Sequence, residues 1–318
     1  MARLRVSNER ERVVSQILLA ALLAVPIHPA AASDDAAPPT TPTPAAVPGA
    51  AGLEVQWTGT WEEAVESARK VPNGRVLVYF GDDDCGACQR MEQLIIPSTS
   101  FFAFTRDKVP LHVTLRSPEG RKLAARLGVR EAPSWVVVTP DLLVTGRQTG
   151  STTQMGWIQT FVDAERQWAA YLKLLDAEKA DPADPRIVFD VARESFKRGG
   201  DSIAEARFAR LASDARTPPD LRERSLAYLA TIQLDAGHPE EAAGSLDKLL
   251  EIAADPVLKQ RAQLRRAEVE IARGRKDLAV GRLRAFKTDW PGSPMLPEVD
   301  KLLEALKPGS SKETGSPK

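Results

Sequence analysis

The chain has 318 residues, with 43 basic and 43 acidic side chains, 43% apolar and 6% aromatic residues. A formal charge of zero argues against a strongly basic nucleic-acid surface. The length leaves room for about two domains of roughly 150 residues each, and the composition is that of a globular protein with biased ends.

In chain order, Arg3, Arg5, Arg10 and Arg12 precede the apolar run VVSQILLAALLAVPI over 13–27, and Ala30, Ala31 and Ala32 stand before Ser33. A basic start, a short apolar core and a small-x-small end are the parts of a secretory signal. The run falls short of the about 20 apolar residues a membrane span needs. We expect a signal peptide over 1–32 that is removed, with an uncleaved anchor as the alternative. The chain would then be exported, periplasmic or extracellular, without stable membrane insertion, in a compartment where disulfides persist. Residues 33–52, rich in Pro, Ala and Thr, have too few large apolar side chains to fold and are expected as a disordered linker.

A first domain is expected over 53–170. TWEEAVESARK sets Glu63 three residues after Thr60, a capping-box spacing, with Trp61, Ala64, Val65 and Ala68 on one helical face. NGRVLVYF reads as a turn and then a strand, apolar without alternation and so buried on both faces. CGACQRMEQLII reads as a helix ending before Pro97, VPLHVTL (109–115) as a strand, and PEGRKLAARLGV as a helix stopped by Gly128. Two strands follow within 134–150 around a turn at Pro140 and Asp141, and a long helix closes the segment. The order α-β-α-β-α-β-β-α predicts a mixed sheet covered on both faces. Trp57, Trp61, Trp135 and Trp157 read as packing residues rather than substrate contacts.

From there to residue 306 the pattern is all helical, and it repeats. Gly199, Gly237 and Gly274 each close a helical stretch, at spacings of 38 and 37 residues. Seven positions before them stand Ala192, Ala230 and Ala267, small residues suited to helix crossings. A helix pair per period is the sign of a helical solenoid. Over 185–305 the pattern resembles the tetratricopeptide repeat family, best in LAYLATIQLDAGHPEEAAGSLDKLLEIAADP, with a slightly longer period. The segment 171–306 is therefore expected as tetratricopeptide-like helical repeats, and 307–318 as a disordered tail.

Cys85 and Cys88 are the two cysteines of the chain, in VYFGDDDCGACQRM. A cysteine at a helix N-terminus gains thiolate character from the unpaired N–H groups there. The two-residue gap lets the second thiol reach the first after a mixed disulfide forms. A strand before Cys85 and a helix after it favour a redox pair; a structural or idle disulfide is the alternative. Zinc needs four ligands, and past the leader only His112 and His238 remain, so no metal site is expected. Asp82, Asp83 and Asp84 form either a solvated loop or a charge that tunes Cys85. Pro133, in GVREAPSWVVV, heads a strand after a turn, where a cis X-Pro bond fits.

VLVYFGDDDCGAC, GVREAPSWVVV and GSTTQMGWIQTFV stand in the order and spacing of the thioredoxin family, and 53–170 resembles it. The resemblance is strongest to exported thioredoxin-like domains with a Trp-bearing first helix and a Met three residues after the second Cys, here Met91. It implies a thioredoxin-like α/β fold followed by the all-α repeat domain. It also implies that Cys85 attacks, Cys88 resolves, Pro133 is a cis-proline lying against the disulfide, and the Ala132 backbone binds a substrate strand. Two positions depart from the family pattern. Tyr79 stands where the family often has a buried acid, and Asp84 where it often has Trp. Glu92, Glu131 and His112 are the candidates to replace that acid.

The charge of Asp84 beside Cys85 disfavours the thiolate. We therefore expect a reductase or electron relay rather than a strong oxidant, whose reduced thiolate is very stable. No nucleotide or flavin fingerprint is present, so the expected redox group is the Cys85–Cys88 disulfide, with no other cofactor. Electrons would come from another thiol redox protein of the envelope, and the repeats would recruit protein clients. The rival expectation is an assembly scaffold whose thioredoxin-like domain is idle.

Overall fold

The structure is a computed structural model and describes residues 55–307. The expected signal peptide, the linker and all of the expected tail except Lys307 lie outside the described residues. Two compact units divide the chain, 55–204 and 205–307 among the described residues.

The first unit holds a four-stranded sheet in the order β2-β1-β3-β4, formed by β1 (Arg75–Gly81), β2 (Lys108–Thr114), β3 (Ser134–Val138) and β4 (Val144–Thr149). β1 runs parallel to β2 and antiparallel to β3, and β4 is antiparallel to β3 with an irregularity between Val137 and Val138. β1 and β3 are buried at every position. Side chains alternate across a strand, and the two inner strands divide accordingly. Val76, Val78, Phe80, Val136 and Val138 pack on one face with α1 (Trp61–Arg69) and α4 (Pro118–Leu127). Leu77, Tyr79, Trp135 and Val137 pack on the other, against α2 (Gly86–Leu94), α3 (Thr99–Thr105) and α5 (Gln154–Ala180). Each buried large apolar side chain contributes about 1.5–3 kcal/mol, so a sheet covered on both sides selects the unbroken apolar run seen in the sequence.

Local signals set the helix ends. The Thr60 side chain accepts from the Glu63 N–H and the Glu63 carboxylate from the Thr60 N–H, the reciprocal box expected. Gly128 ends α4 at a φ of 65°, a left-handed value that costs glycine little. The sequence reading lacked α3, whose TSFFAFT consists of weak helix formers apart from Ala103. Tertiary packing decides it: Phe101 is fully buried against Trp135, 5.3 Å between ring centroids, and Trp157, at 5.4 Å. Trp135 and Trp157 are core residues with half-buried Trp57 packed beside them, and half-buried Trp61 packs on the opposite face of the sheet.

α5 continues past the sheet, and α6 (Pro185–Lys197) packs on it around Trp168, Tyr171 and Val191. The Arg198 guanidinium donates to the Val144 and Gln167 carbonyls, while its carbonyl accepts from the Val144 N–H, which fastens the end of α6 to β4. α7 (Asp201–Ser213) then crosses the boundary between the units.

The second unit is all helical: α8 (Pro219–Asp235), α9 (Pro239–Ile252), α10 (Pro256–Ala272), α11 (Lys276–Asp289) and α12 (Leu296–Ala305). The turns after α8 and α10 pass through Gly237 and Gly274 at positive φ, as the turn after α6 does at Gly199. Ala230 and Ala267 are buried where a larger side chain would hold the helices apart. Among the described residues no helix is long and apolar enough to cross a membrane.

Candidate functional site

The strand pairing assembles the site. β1 and β3 are antiparallel with Phe80 opposite Ser134, so the loop leaving β1 and the turn entering β3 lie at one end of the sheet. The first carries Cys85 and the second carries Ala132 and Pro133. The Ala132–Pro133 peptide bond is cis, and the Ala132 carbonyl oxygen lies 4.0 Å from Cys85 Sγ.

Cys85 is the N-cap of α2, and its Sγ accepts from the Cys88 N–H at 3.1 Å. An N–H of the helix start therefore points at the sulfur, where it stabilises a thiolate. Cys85 and Cys88 form a disulfide with their Cα atoms 5.1 Å apart. Cys85 is partly exposed and Cys88 fully buried, an asymmetry that lets an outside sulfur meet Cys85 first. Gly86 and Ala87 add little bulk between them.

Tyr79 lies behind the pair, fully buried on β1. Its ring stacks on Trp135 at 4.1 Å and on His112 at 5.0 Å. Its hydroxyl donates to Glu92 Oε1 at 3.0 Å and lies 3.4 Å from the Cys88 carbonyl. Burial, then the nearby Glu92 carboxylate, push the Tyr79 pKa far up, so the hydroxyl stays protonated and serves as a donor. Of Glu92, Glu131 and His112, Glu92 is the one whose carboxylate this hydroxyl meets.

The aspartates are not equivalent. Asp82 is half-buried, with its side chain largely covered; its Oδ1 accepts from the Arg116 N–H at 3.0 Å and its Oδ2 lies 3.6 Å from Arg116 Nε. Asp84 is exposed and forms an ion pair and hydrogen bond with Arg116 Nη1. Asp83 turns outward, its carbonyl accepting from the Gln89 side chain at 3.0 Å. The aspartate run is thus partly tied down rather than wholly solvated, and the partner is a residue the sequence reading missed. A signal existed. β1 and β2 are parallel with Gly81 opposite Thr114, so residues just past both strands meet at the same end of the sheet. Arg116 is two residues past β2, and Asp82 to Asp84 follow β1.

A β2-β1-β3-β4 mixed sheet, a cysteine pair opening the helix after β1 and a cis-proline before β3 define a thioredoxin-like α/β domain, here followed by an all-α segment. No protein-family model matches the chain, and no curated protein matches it. Among solved structures, the chain is similar to a solution structure of a thioredoxin from Thermus thermophilus, with 24% identity and a TM-score of 0.30, over 33% of this chain and 82% of that one. It is also similar to a structure described as "DsbH Oxidoreductase", with 20% identity and a TM-score of 0.28, over 35% of this chain and 83% of that one.

Proposed function

We propose that the protein is an exported thiol-disulfide oxidoreductase that works as a reductase or electron relay, with Cys85 attacking and Cys88 resolving. The observation that carries the reading is the helix-capping sulfur: Cys85 Sγ accepts the Cys88 N–H while the turn at the cis-proline brings Ala132 beside it. In the reduced protein, the Cys85 thiolate attacks a client disulfide and forms a mixed disulfide, and the released client thiolate takes up a proton. Cys88 then loses its proton and attacks Cys85 Sγ, breaking the mixed disulfide and freeing the second client thiol. The client gains two electrons and two protons, and the protein is left with the Cys85–Cys88 disulfide. Another thiol protein of the same compartment returns the electrons. The backbone at Ala132 and Pro133 guides the client strand, and the tetratricopeptide-like helices hold the client near the sulfur and raise its effective concentration.

Insulin reduction with a dithiol donor tests this. Wild type accelerates it, and Cys85→Ser abolishes the acceleration. Cys88→Ser accumulates mixed disulfides on Cys85, which identifies the clients. A wild-type rate equal to that of Cys85→Ser overturns the reading and favours an assembly scaffold with an idle pair.

A further inference from the structure

We infer that Arg116 is a positioning residue for the redox pair: by holding the Asp84 and Asp82 carboxylates it offsets part of the negative charge that the sequence sets beside Cys85. The inference rests on the thiol-disulfide reading for its consequence and on geometry for its substance.

The geometry is braced from several sides. The Arg116 N–H donates to Asp82 Oδ1 at 3.0 Å, which fixes the backbone from which the side chain starts. The Arg121 guanidinium donates to the Arg116 carbonyl and restrains the same loop. From there the Arg116 guanidinium reaches Asp84 through Nη1 and Asp82 through Nε. One cation thus bridges two of the three carboxylates directly before Cys85. The pair is exposed, so its contribution to folding is small. Its position gives it another role. A carboxylate adjoining a thiolate opposes it and a guanidinium favours it, so a closed Asp84–Arg116 pair leaves the thiolate supported by the start of α2.

The remaining charged side chains on the elements around Cys85 are Asp83, Arg90, Glu92, Arg130 and Glu131. A Cβ placed on Gly86 would stand 3.9 Å from Arg90 Nη1, so Arg90 folds back over the first residue of α2 and adds a second cation there. All of these stay unchanged in the variants below, which isolates the Asp84–Arg116 pair.

The test measures the midpoint pH of Cys85 alkylation by iodoacetamide in the reduced full-length chain, in a Cys88→Ser background. Arg116→Gln exposes the Asp84 charge, raises the midpoint and lowers the thiolate-to-thiol ratio at a given pH by about threefold to tenfold. Asp84→Asn leaves Arg116 with one carboxylate fewer and moves the midpoint down. The double variant returns to near the parent value, and Arg116→Lys keeps most of it. A merely structural role changes thermal stability without these opposite, cancelling shifts. The inference is overturned if either single variant leaves the midpoint in place, or if both move it in one direction. With both cysteines present, Arg116→Gln makes the pair about threefold to tenfold more reducing against a glutathione buffer, the upper figure corresponding to about 30 mV. A pair that fails to exchange with glutathione overturns the proposed function, while the alkylation midpoints still decide the role of Arg116.

Discussion

Two arginine–carboxylate clusters, one in each unit, use the same chemistry at opposite depths. In the helical unit the Glu270 carboxylate is almost fully buried on α10, with Arg266, Arg273, Arg275 and Arg282 all within 4.0 Å. Arg266 also reaches Asp247 of α9 at 2.8 Å, and Arg282 comes from α11, so the cluster ties three successive helices. In the sheet unit, Arg116 and Asp84 are each 68% exposed at the mouth of the cysteine loop. A buried charge stripped of its partner cannot recover water, whereas an exposed one can. The buried cluster therefore fixes structure. The exposed one is free to adjust a neighbouring sulfur at little cost to folding.

Removing one side of the buried cluster is the strongest test of that contrast. Arg266→Ala leaves Glu270 with weaker, longer contacts and is expected to cost about 3–5 kcal/mol, read as a lower urea midpoint of the helical unit by circular dichroism. A loss below that of a surface substitution would erase the distinction. Tyr79→Phe sits between the extremes. It removes the donor to Glu92 while keeping the stacked ring, and is expected to cost about 1 kcal/mol, measured by urea unfolding, with Cys85 still reactive. Arg116→Gln comes lower on the stability scale, with the urea midpoint nearly unchanged, yet it is the variant expected to move Cys85 chemistry. Raising ionic strength to 1 M should shrink its effect on Cys85, since exposed charges are then screened beyond about 3 Å, and should leave the Glu270 cluster nearly untouched.

The smallest effect belongs to a surface pair, half-buried Asp214 with exposed Arg216. Hydrogen bonds from the Arg216 side chain, then from its backbone N–H, pull the Asp214 pKa down to about 2. A carboxyl whose folded value lies below its unfolded one, near 3.9, adds stability that is present above the unfolded value and is lost as pH falls through the folded one. Carboxyl titration by NMR should show Asp214 ionised down to that range, with Asp214→Asn changing stability at pH 7 little.

Much of the fold was legible in the sequence because local rules wrote it. The apolar run of β1 announced a strand covered on both faces, and Thr60 with Glu63 announced the start of α1. Gly128 marked a helix end, and Gly199, Gly237 and Gly274 marked the turns between helices, since each needs a left-handed backbone. α3 was illegible because its helix exists for the burial of Phe101 rather than for its own propensity.

At the site, the division follows sequence distance. The cysteine spacing, the helix after it and the acidic loop before it are contiguous, and Cys85 through Met91 form one stretch whose capping geometry follows from local chain direction alone. Strand pairing had to bring in the rest. It set Ala132 4.0 Å from Cys85 and carried Arg116 across from the parallel strand to the aspartates, while the packing of α2 on β1 joined Tyr79 to Glu92. The sequence by itself therefore determined that a cysteine pair opens a helix beside negative charge. The tertiary structure decided whether that charge stands free, because an arginine 32 residues away in the chain reaches Asp84 only through the register of β1 with β2.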